Sequence, residues 1–513
     1  MWQTASSLTV SNENRTVGSQ VCNGRLVFSG EGTVENGKYK VTSILHKGGD
    51  IVFAGETCKW HFAPSCNVQL DPGGRYIGIM DGAQVHFDAL PDYRWDYVYA
   101  LNIGGAASDR ACVEVGAGSL LAFGEHRAFV LGSSAAKNIV TLKVSGGTVR
   151  LAGAQGSFQS GGFQAAKGDW ATLTGTDADR CPQVNIVVTD GGVIETDRVF
   201  AANPVTHTND RPGEGYVSGV FLTLDGGTYK AGAGFGISPQ TPNANVRKSR
   251  NHFFAGVDVD NMTYMDAALD YTAEMLVTVG PNGGTFDISD AQAGVTSVTN
   301  AIVGAPVPSD RIPGGFVPTL GPRWTLDGCL NVKGRGGQEF VVNGLDAAAL
   351  KRLRVDGLTL KVVSDRTAAL EELTLGAPAG GLLVESADSV ASRQDVSIAS
   401  LSVGEGGIFD ATMFDPAHTL VQDMSFSPNS TLCVRGNPAR AFSVSGTLTL
   451  PSALNYLVPP KTQTAATVLT AGNVAAPEGG VVWTQSPTTR TRRFRIGRKA
   501  IEMMGYGMTV TVR

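Results

Sequence analysis

The sequence predicts an all-β chain whose strands coil and stack on one another, a β-solenoid. The first observation is a recurring phrase: an apolar alternating stretch, a Gly-rich turn, then a second apolar stretch, with no helix between. It reads Ile139–Val144, Gly146-Gly147-Thr148 and Val149–Ala152. It returns at Leu222-Thr223-Leu224 with Gly226-Gly227-Thr228, at Val277-Thr278-Val279 with Gly283-Gly284-Thr285, and at Leu401-Ser402-Val403 with Gly406-Gly407-Ile408. The second is a period. Leu350-x-x-Leu353-x-Val355, Leu370-x-x-Leu373-x-Leu375, Ile398-x-x-Leu401-x-Val403 and Val421-x-x-Met424-x-Phe426 are followed by Val444. Their central positions, 353, 373, 401, 424 and 444, lie 20, 28, 23 and 20 apart, the length of one solenoid coil or one leucine-rich repeat. The third is composition. Gly is 65 of 513 residues and charged residues are 17%, against roughly 25% in ordinary domains. Few charges and much Gly, Thr and Val suit stacked strands better than helices.

Each element follows from local chemistry. In a strand alternate side chains share a face, so Leu373 and Leu375 point the same way. Gly permits the positive φ that a sharp corner often requires. The next strand then lies on the following side of the coil, and stacked coils satisfy one another's backbone groups. Leucine-rich repeats fit worse, because the strand is followed by Gly, Ala or Pro and then another strand, as in Gly380-Gly381-Leu382-Leu383-Val384 and Ser430-Thr431-Leu432-Cys433-Val434.

In the N-terminal part the expected strands are Gly24–Ser29, Lys38–Leu45, Asp50–Ala54, Asn67–Leu70, Arg75–Ile79, Ala83–Phe87, Ala111–Val115 and Ser119–Phe123, punctuated by glycines. Polar, irregular or Pro-rich insertions fall near 201–219, 238–270 and 304–323, and such insertions project laterally from a solenoid. Asp346–Leu353 and Arg366–Leu373 have some helical composition, but the overlapping Leu-x-x-Leu-x-Leu pattern turns them into strands. The coil is expected over 1–455, with a C-terminal β cap over 456–513.

A chain of 513 residues exceeds one ordinary core, and a repeat architecture escapes that limit because each coil packs only on its neighbours. The net charge of −5 gives no argument for nucleic acid. No run approaches 18 apolar residues, so no transmembrane helix is expected. The start, Met1-Trp2-Gln3-Thr4, lacks the basic and apolar regions of a secretory signal.

Leu142-Lys-Val-Ser-Gly-Gly-Thr-Val-Arg-Leu151 and Leu222-Thr-Leu-Asp-Gly-Gly-Thr-Tyr229 resemble the autotransporter-associated β-strand repeats of bacterial passenger domains. Ala466-Thr-Val-Leu-Thr-Ala-Gly-Asn473 and the closing Gly507-Met-Thr-Val-Thr-Val512 are similar to the last turns of such passengers. The resemblance spans about 140–300 and 350–513. It implies a right-handed parallel β-helix presented outside the cell or at its surface.

Several residue groups bear on chemistry. Tyr93, Trp95, Tyr97 and Tyr99 are spaced by two, which lines them on one face of a strand. Facing outward they form a platform for sugar rings; facing inward they are core. Asp258 and Asp260 share a strand side about 7 Å apart, with Asp266, Asp270 and His252 nearby. They are the catalytic candidates if the chain is an enzyme; as a calcium site they lack the usual loop sequence. Asp177, Asp179, Asp190, Glu195 and Asp197 read as turn carboxylates. Arg490, Arg492, Arg493, Arg495, Arg498 and Lys499 alternate with Phe494 and Ile496, which reads as a strand with a charged outer face rather than a nucleic-acid site. None of the seven cysteines forms a Cys-x-x-Cys pair, so no metal site is expected. Cys58 and Cys66 are close enough for a local disulfide, and small apolar residues inside the coil is the favoured alternative. The histidines, 46, 61, 86, 126, 207, 252 and 418, are scattered.

The expected function is therefore non-catalytic: a secreted or surface structural protein, adhesin-like, holding loops toward a glycan or host surface, with no cofactor; the sequence assigns no oligomeric state. The alternatives are a polysaccharide lyase or glycoside hydrolase on the same scaffold, and a tail-spike-like trimer.

Overall fold

A computed structural model describes residues 3–4, 8–12, 26–36, 43–46, 49–64, 66–70, 74–89, 98–103, 110–124, 127–133, 139–151, 162–167, 183–196, 201–202, 219–231, 275–287, 289, 297–300, 328–335, 339–343, 351–364, 368–376, 381–386, 396–411, 419–434, 441–458, 466–485 and 492–504. Among them every regular element is a strand, and nearly all strand pairs are parallel. The chain forms two compact units, 1–295 with 305–325, and 296–304 with 326–513.

In the first unit the strands recur in threes. A first ladder of nine runs through Gln3–Thr4, Leu26–Phe28, Gly49–Ala54, Gly74–Met80, Arg110–Val115, Ile139–Ser145, Gln183–Thr189, Gly219–Asp225 and Met275–Val279. After each of these the chain turns into a second ladder: Leu8–Asn12, Glu31–Asn36, Lys59–Phe62, Gln84–Phe87, Leu120–Phe123, Thr148–Leu151, Val193–Thr196, Gly227–Ala231 and Gly284–Asp287. A third ladder holds Ser43–His46, Asn67–Leu70, Val98–Ile103, Arg127–Ser133, Gly162–Lys167 and Ala201–Ala202. Pairing is parallel along all three, in register as in Gln84↔Leu120 through Phe87↔Phe123, with shifts between Gly49 and Asp50 in the first ladder and between Tyr99 and Leu101 in the third.

Period-two patterning selects the core. Along Lys59–Phe62 and Gln84–Phe87 every second side chain is buried. The inward members meet their counterparts one cycle on, Phe62 on Phe87 at 4.7 Å and Phe87 on Phe123 at 5.1 Å, and Phe129 of the third ladder extends this stack of rings against Phe123 at 4.9 Å. Burying one such side chain contributes about 1.5–3 kcal/mol. Arg127 is fully buried beside this stack. Its guanidinium lies 5.7 Å over the Phe87 ring and donates to the Cys66 carbonyl. Burial pushes its pKa down to about 10, so it stays charged at neutral pH. Cys58 and Cys66 are both buried thiols, not a disulfide, and burial pushes Cys58 up to about 11.

The Gly-Gly turns divide their work. The first glycine takes positive φ, at Gly146, Gly191, Gly226, Gly283 and Gly406. The second lies against the preceding cycle. A Cβ on Gly192 would sit 2.3 Å from the Val144 oxygen, and one on Gly407 2.3 Å from the Leu375 oxygen.

In the second unit a ladder of longer strands contains Cys329–Lys333, Arg352–Asp356, Ala368–Gly376, Val396–Val403, Thr419–Phe426, Phe442–Thr449 and Ala466–Ala475. It alternates with two shorter parallel ladders, Ser297–Asn300, Glu339–Asn343, Thr359–Ser364 and Gly381–Ser386, then Ile408–Asp410, Thr431–Cys433, Ala453–Leu457 and Val482–Gln485. The Leu-x-x-Leu-x-Leu phrase is one strand containing a corner. Leu370, then Leu373 and Leu375, are buried, as are Ile398, then Leu401 and Val403. The single three-residue step rotates the strand so that both halves face the core. Of the segments with helical composition, 352–353 and 368–373 are strand.

One expected alignment is corrected. The fifth central position is Leu448, not Val444: Leu448 pairs with Met424, whereas Val444 pairs with Val421. An extra residue at Gly446-Thr447 shifts the register, and Asp423 Oδ1 accepts a hydrogen bond from the Thr447 amide at 2.7 Å. Such a bulge is invisible to a count of apolar positions.

At the C-terminal end Ala466–Ala475 pairs antiparallel with Ala500–Met504, which pairs antiparallel with Arg493–Ile496. The reversal ends the parallel ladder. Arg493 and Arg495 are exposed and alternate with half-buried Phe494 and Ile496, and charge on such a strand discourages edge pairing. Arg492 is instead buried, and its amide donates to the Tyr456 hydroxyl at 3.2 Å.

Candidate functional site

Because the strands are parallel and in register, outward side chains from successive cycles form columns. On the second ladder one column runs Thr33, His61, His86, Ala122, Arg150, Glu195, Lys230 and Asp287. Its two ends differ in chemistry.

The His61 and His86 rings stack at 4.7 Å with planes 7° apart. His61 Nδ1–H donates to Asp88 Oδ1 at 3.2 Å; an ionised carboxylate can only accept, which makes Nδ1 the donor. Burial lowers the His86 pKa below its usual 6.5, His61 and Arg150 add to the effect, and Asp88 partly opposes it. His86 is therefore neutral at neutral pH. Further along, Arg150 Nε donates to Glu195 Oε2 at 2.6 Å, and the column continues with signs alternating through Lys230 and Asp287. Opposite charges directly across neighbouring strands are favourable, like charges are not.

A second polar group lies on the outward face of the first ladder. The Tyr76 ring covers Gly78, where a Cβ would lie 2.7 Å from a ring carbon. Its hydroxyl donates to Glu114 Oε2 at 2.9 Å, and Lys143 Nζ donates to Glu114 Oε1 at 2.8 Å. Burial pushes the Glu114 carboxyl up, but the hydrogen bonds from Lys143 and Tyr76 and the Lys143 charge bring it below its usual value. The hydrogen bond from its own ammonium to Glu114 likewise raises Lys143. Burial pushes half-buried Cys112 up to about 11, with the nearby Glu114 charge adding to it, so it is a protonated, weakly reactive thiol.

The residues expected from the sequence to carry function fall as follows. Asp258 and Asp260 lie outside the described residues, as do Asp266, Asp270 and His252. So do Tyr93, Trp95 and Tyr97. Tyr99 lies in the strand Val98–Ile103, paired with Ala128, and a register irregularity follows it before Leu101. The insertions near 238–270 and 304–323 are outside the described residues, as is nearly all of 201–219. Of the second acidic group, Glu195 is the ion-pair partner of Arg150. Asp190 has positive φ in a turn and accepts from the Ser145 and Thr189 hydroxyls. Asp177, Asp179 and Asp197 are outside the described residues.

The His61/His86 pair was missed because the two residues lie 25 positions apart in the chain. A signal was present. The dipeptide His-Phe occurs at 61–62 and again at 86–87, and that interval separates the starts of the first-ladder strands at Gly49 and Gly74. Among the described residues no three His, Cys, Asp or Glu side chains converge as a metal cage, and no helix is long and apolar enough to cross a membrane. The chain matches no protein-family model, no curated protein and no solved structure.

Proposed function

We propose that the chain winds as a right-handed parallel β-helix and serves as a secreted or cell-surface structural protein of the adhesin-like kind, similar to bacterial autotransporter passengers. The handedness follows from the strong preference of parallel crossover connections. The observation that carries the reading is the register. The strands recur in one order, and their outward columns are satisfied among themselves: Lys143 with Glu114, Arg150 with Glu195, and Ser402 with Ser425 at 3.1 Å. A surface whose charged groups neutralise one another holds a shape rather than attacks a bond. Recognition of a glycan or host surface then falls to the lateral insertions and to the segment containing Tyr93, Trp95, Tyr97 and Tyr99.

The test is a panel of soluble and insoluble polysaccharides, scored for retention of the purified protein and for release of reducing or unsaturated ends. Retention without cleavage, weakened by Trp95→Ala, is the expected result. Cleavage abolished by Asp258→Asn would replace this reading with a polysaccharide-degrading enzyme.

A further inference from the structure

We propose that His61 and His86 form an open two-imidazole site for a divalent transition-metal ion of the zinc or copper type. The proposal does not depend on the adhesin-like reading. In-register pairing of Lys59–Phe62 with Gln84–Phe87 places the two residues side by side on neighbouring strands, which are about 4.8 Å apart. Both point outward, because the residues flanking them, Trp60 and Phe62, Val85 and Phe87, are buried in the core. The strand backbone therefore sets the separation of the rings. An ion held at about 2.0–2.1 Å by two imidazole nitrogens draws those atoms to roughly 3–3.5 Å and lies in the plane of each ring, so the stacked rings, now 7° from parallel, must turn out of the stack until both lone pairs point at it. The His61 side chain, half exposed, has room to do so.

Asp88 prepares one ligand. By accepting the Nδ1–H of His61 it selects the tautomer whose Nε2 lone pair is free, the carboxylate–histidine arrangement common behind metal ligands. The neighbours permit a cation. The next residue of the column after His86 is Ala122, a methyl group, and Arg150 beyond it is held by Glu195. Imidazole nitrogens favour zinc, nickel and copper over magnesium or calcium. With two protein ligands, the remaining coordination positions belong to water or to a donor from another molecule.

The experiment is calorimetric titration of the full chain with Zn2+, in the wild type, His61→Ala, His86→Ala, the double variant and Asp88→Asn, with circular dichroism to verify an unchanged fold. The double variant subtracts binding at the other histidines and at the cysteines. Expected is a saturable site, one ion per chain, that weakens at least about tenfold on loss of either imidazole and about tenfold in Asp88→Asn, the usual effect of removing such a partner. A Cu2+ electron paramagnetic resonance spectrum should show two coupled nitrogens, reduced to one in each single variant. His→Gln replacements serve if an alanine variant misfolds. Wild-type binding equal to that of the double variant, or a copper spectrum unchanged by the single variants, would overturn the proposal.

Discussion

Gly147 lies so close to Gly116, one cycle earlier, that a Cβ atom on it would sit 2.4 Å from the Gly116 carbonyl oxygen. The same approach recurs at Gly192, Gly227 and Gly407. In these four Gly-Gly turns the second glycine is thus required by stacking, whereas the first is required by its own φ. Gly192→Ala should destabilise the first unit by about 1–3 kcal/mol, the usual cost of forcing atoms into a packed site. Gly479→Ala, where nothing lies within 4 Å, should change stability by no more than about 1 kcal/mol in either direction. Urea unfolding of both variants checks the contrast, and equal effects would show that the close approach is not limiting.

The aromatic stack should behave as one packed column. Phe123 touches Phe87 and Phe129 on its two sides. Phe123→Ala should cost about 3–5 kcal/mol, and Phe123→Leu clearly less, because it leaves a smaller cavity. Thermal melts followed by near-ultraviolet dichroism would report both the loss of stability and the loss of ring packing.

Acid should weaken the Tyr76–Glu114–Lys143 group. The Glu114 pKa is lower in the folded chain than its ordinary 4.5, so the folded state favours the ionised form. Its contribution is fully present above the unfolded value and is lost as pH falls through the folded value. Between pH 6 and pH 3 Glu114→Gln should therefore show a flatter fall in stability than the wild type, and Lys143→Met should lie between them. Parallel curves for all three proteins would contradict this account.

Charge order along the second ladder is testable by reversal. Glu195→Lys would place three cations in succession at Arg150, position 195 and Lys230. Like charges directly opposite are unfavourable by roughly 0.2–1 kcal/mol per pair, and salt screens them. The variant should be less stable at low ionic strength and recover in about 1 M salt, where the screening length falls to about 3 Å. Adding Arg150→Glu should restore part of the loss at low salt.

Much of the fold was legible because its rules are local. Asn67–Leu70 is a strand with the expected bounds, and Asp50–Ala54, Ala83–Phe87 and Ala111–Val115 differ from theirs by a residue. Alternation marks the inward face and paired glycines mark the corners. Val444 misled because the Gly446-Thr447 bulge shifts the register without disturbing the apolar count. His61 and His86 looked scattered because their meeting depends on the length of chain between them. The expected aromatic platform and the Asp258/Asp260 pair fall, Tyr99 apart, outside the described residues.

Strand, corner, strand, and which side of each strand is dry, were written in the sequence, since side-chain period and glycine stereochemistry act within a few residues. Which residues of different cycles touch was decided only by the tertiary structure. Successive first-ladder strands begin as little as 23 and as much as 56 residues apart. Only hydrogen bonding between whole strands sets the register that brings His61 to His86, Glu114 to Lys143 and Arg150 to Glu195.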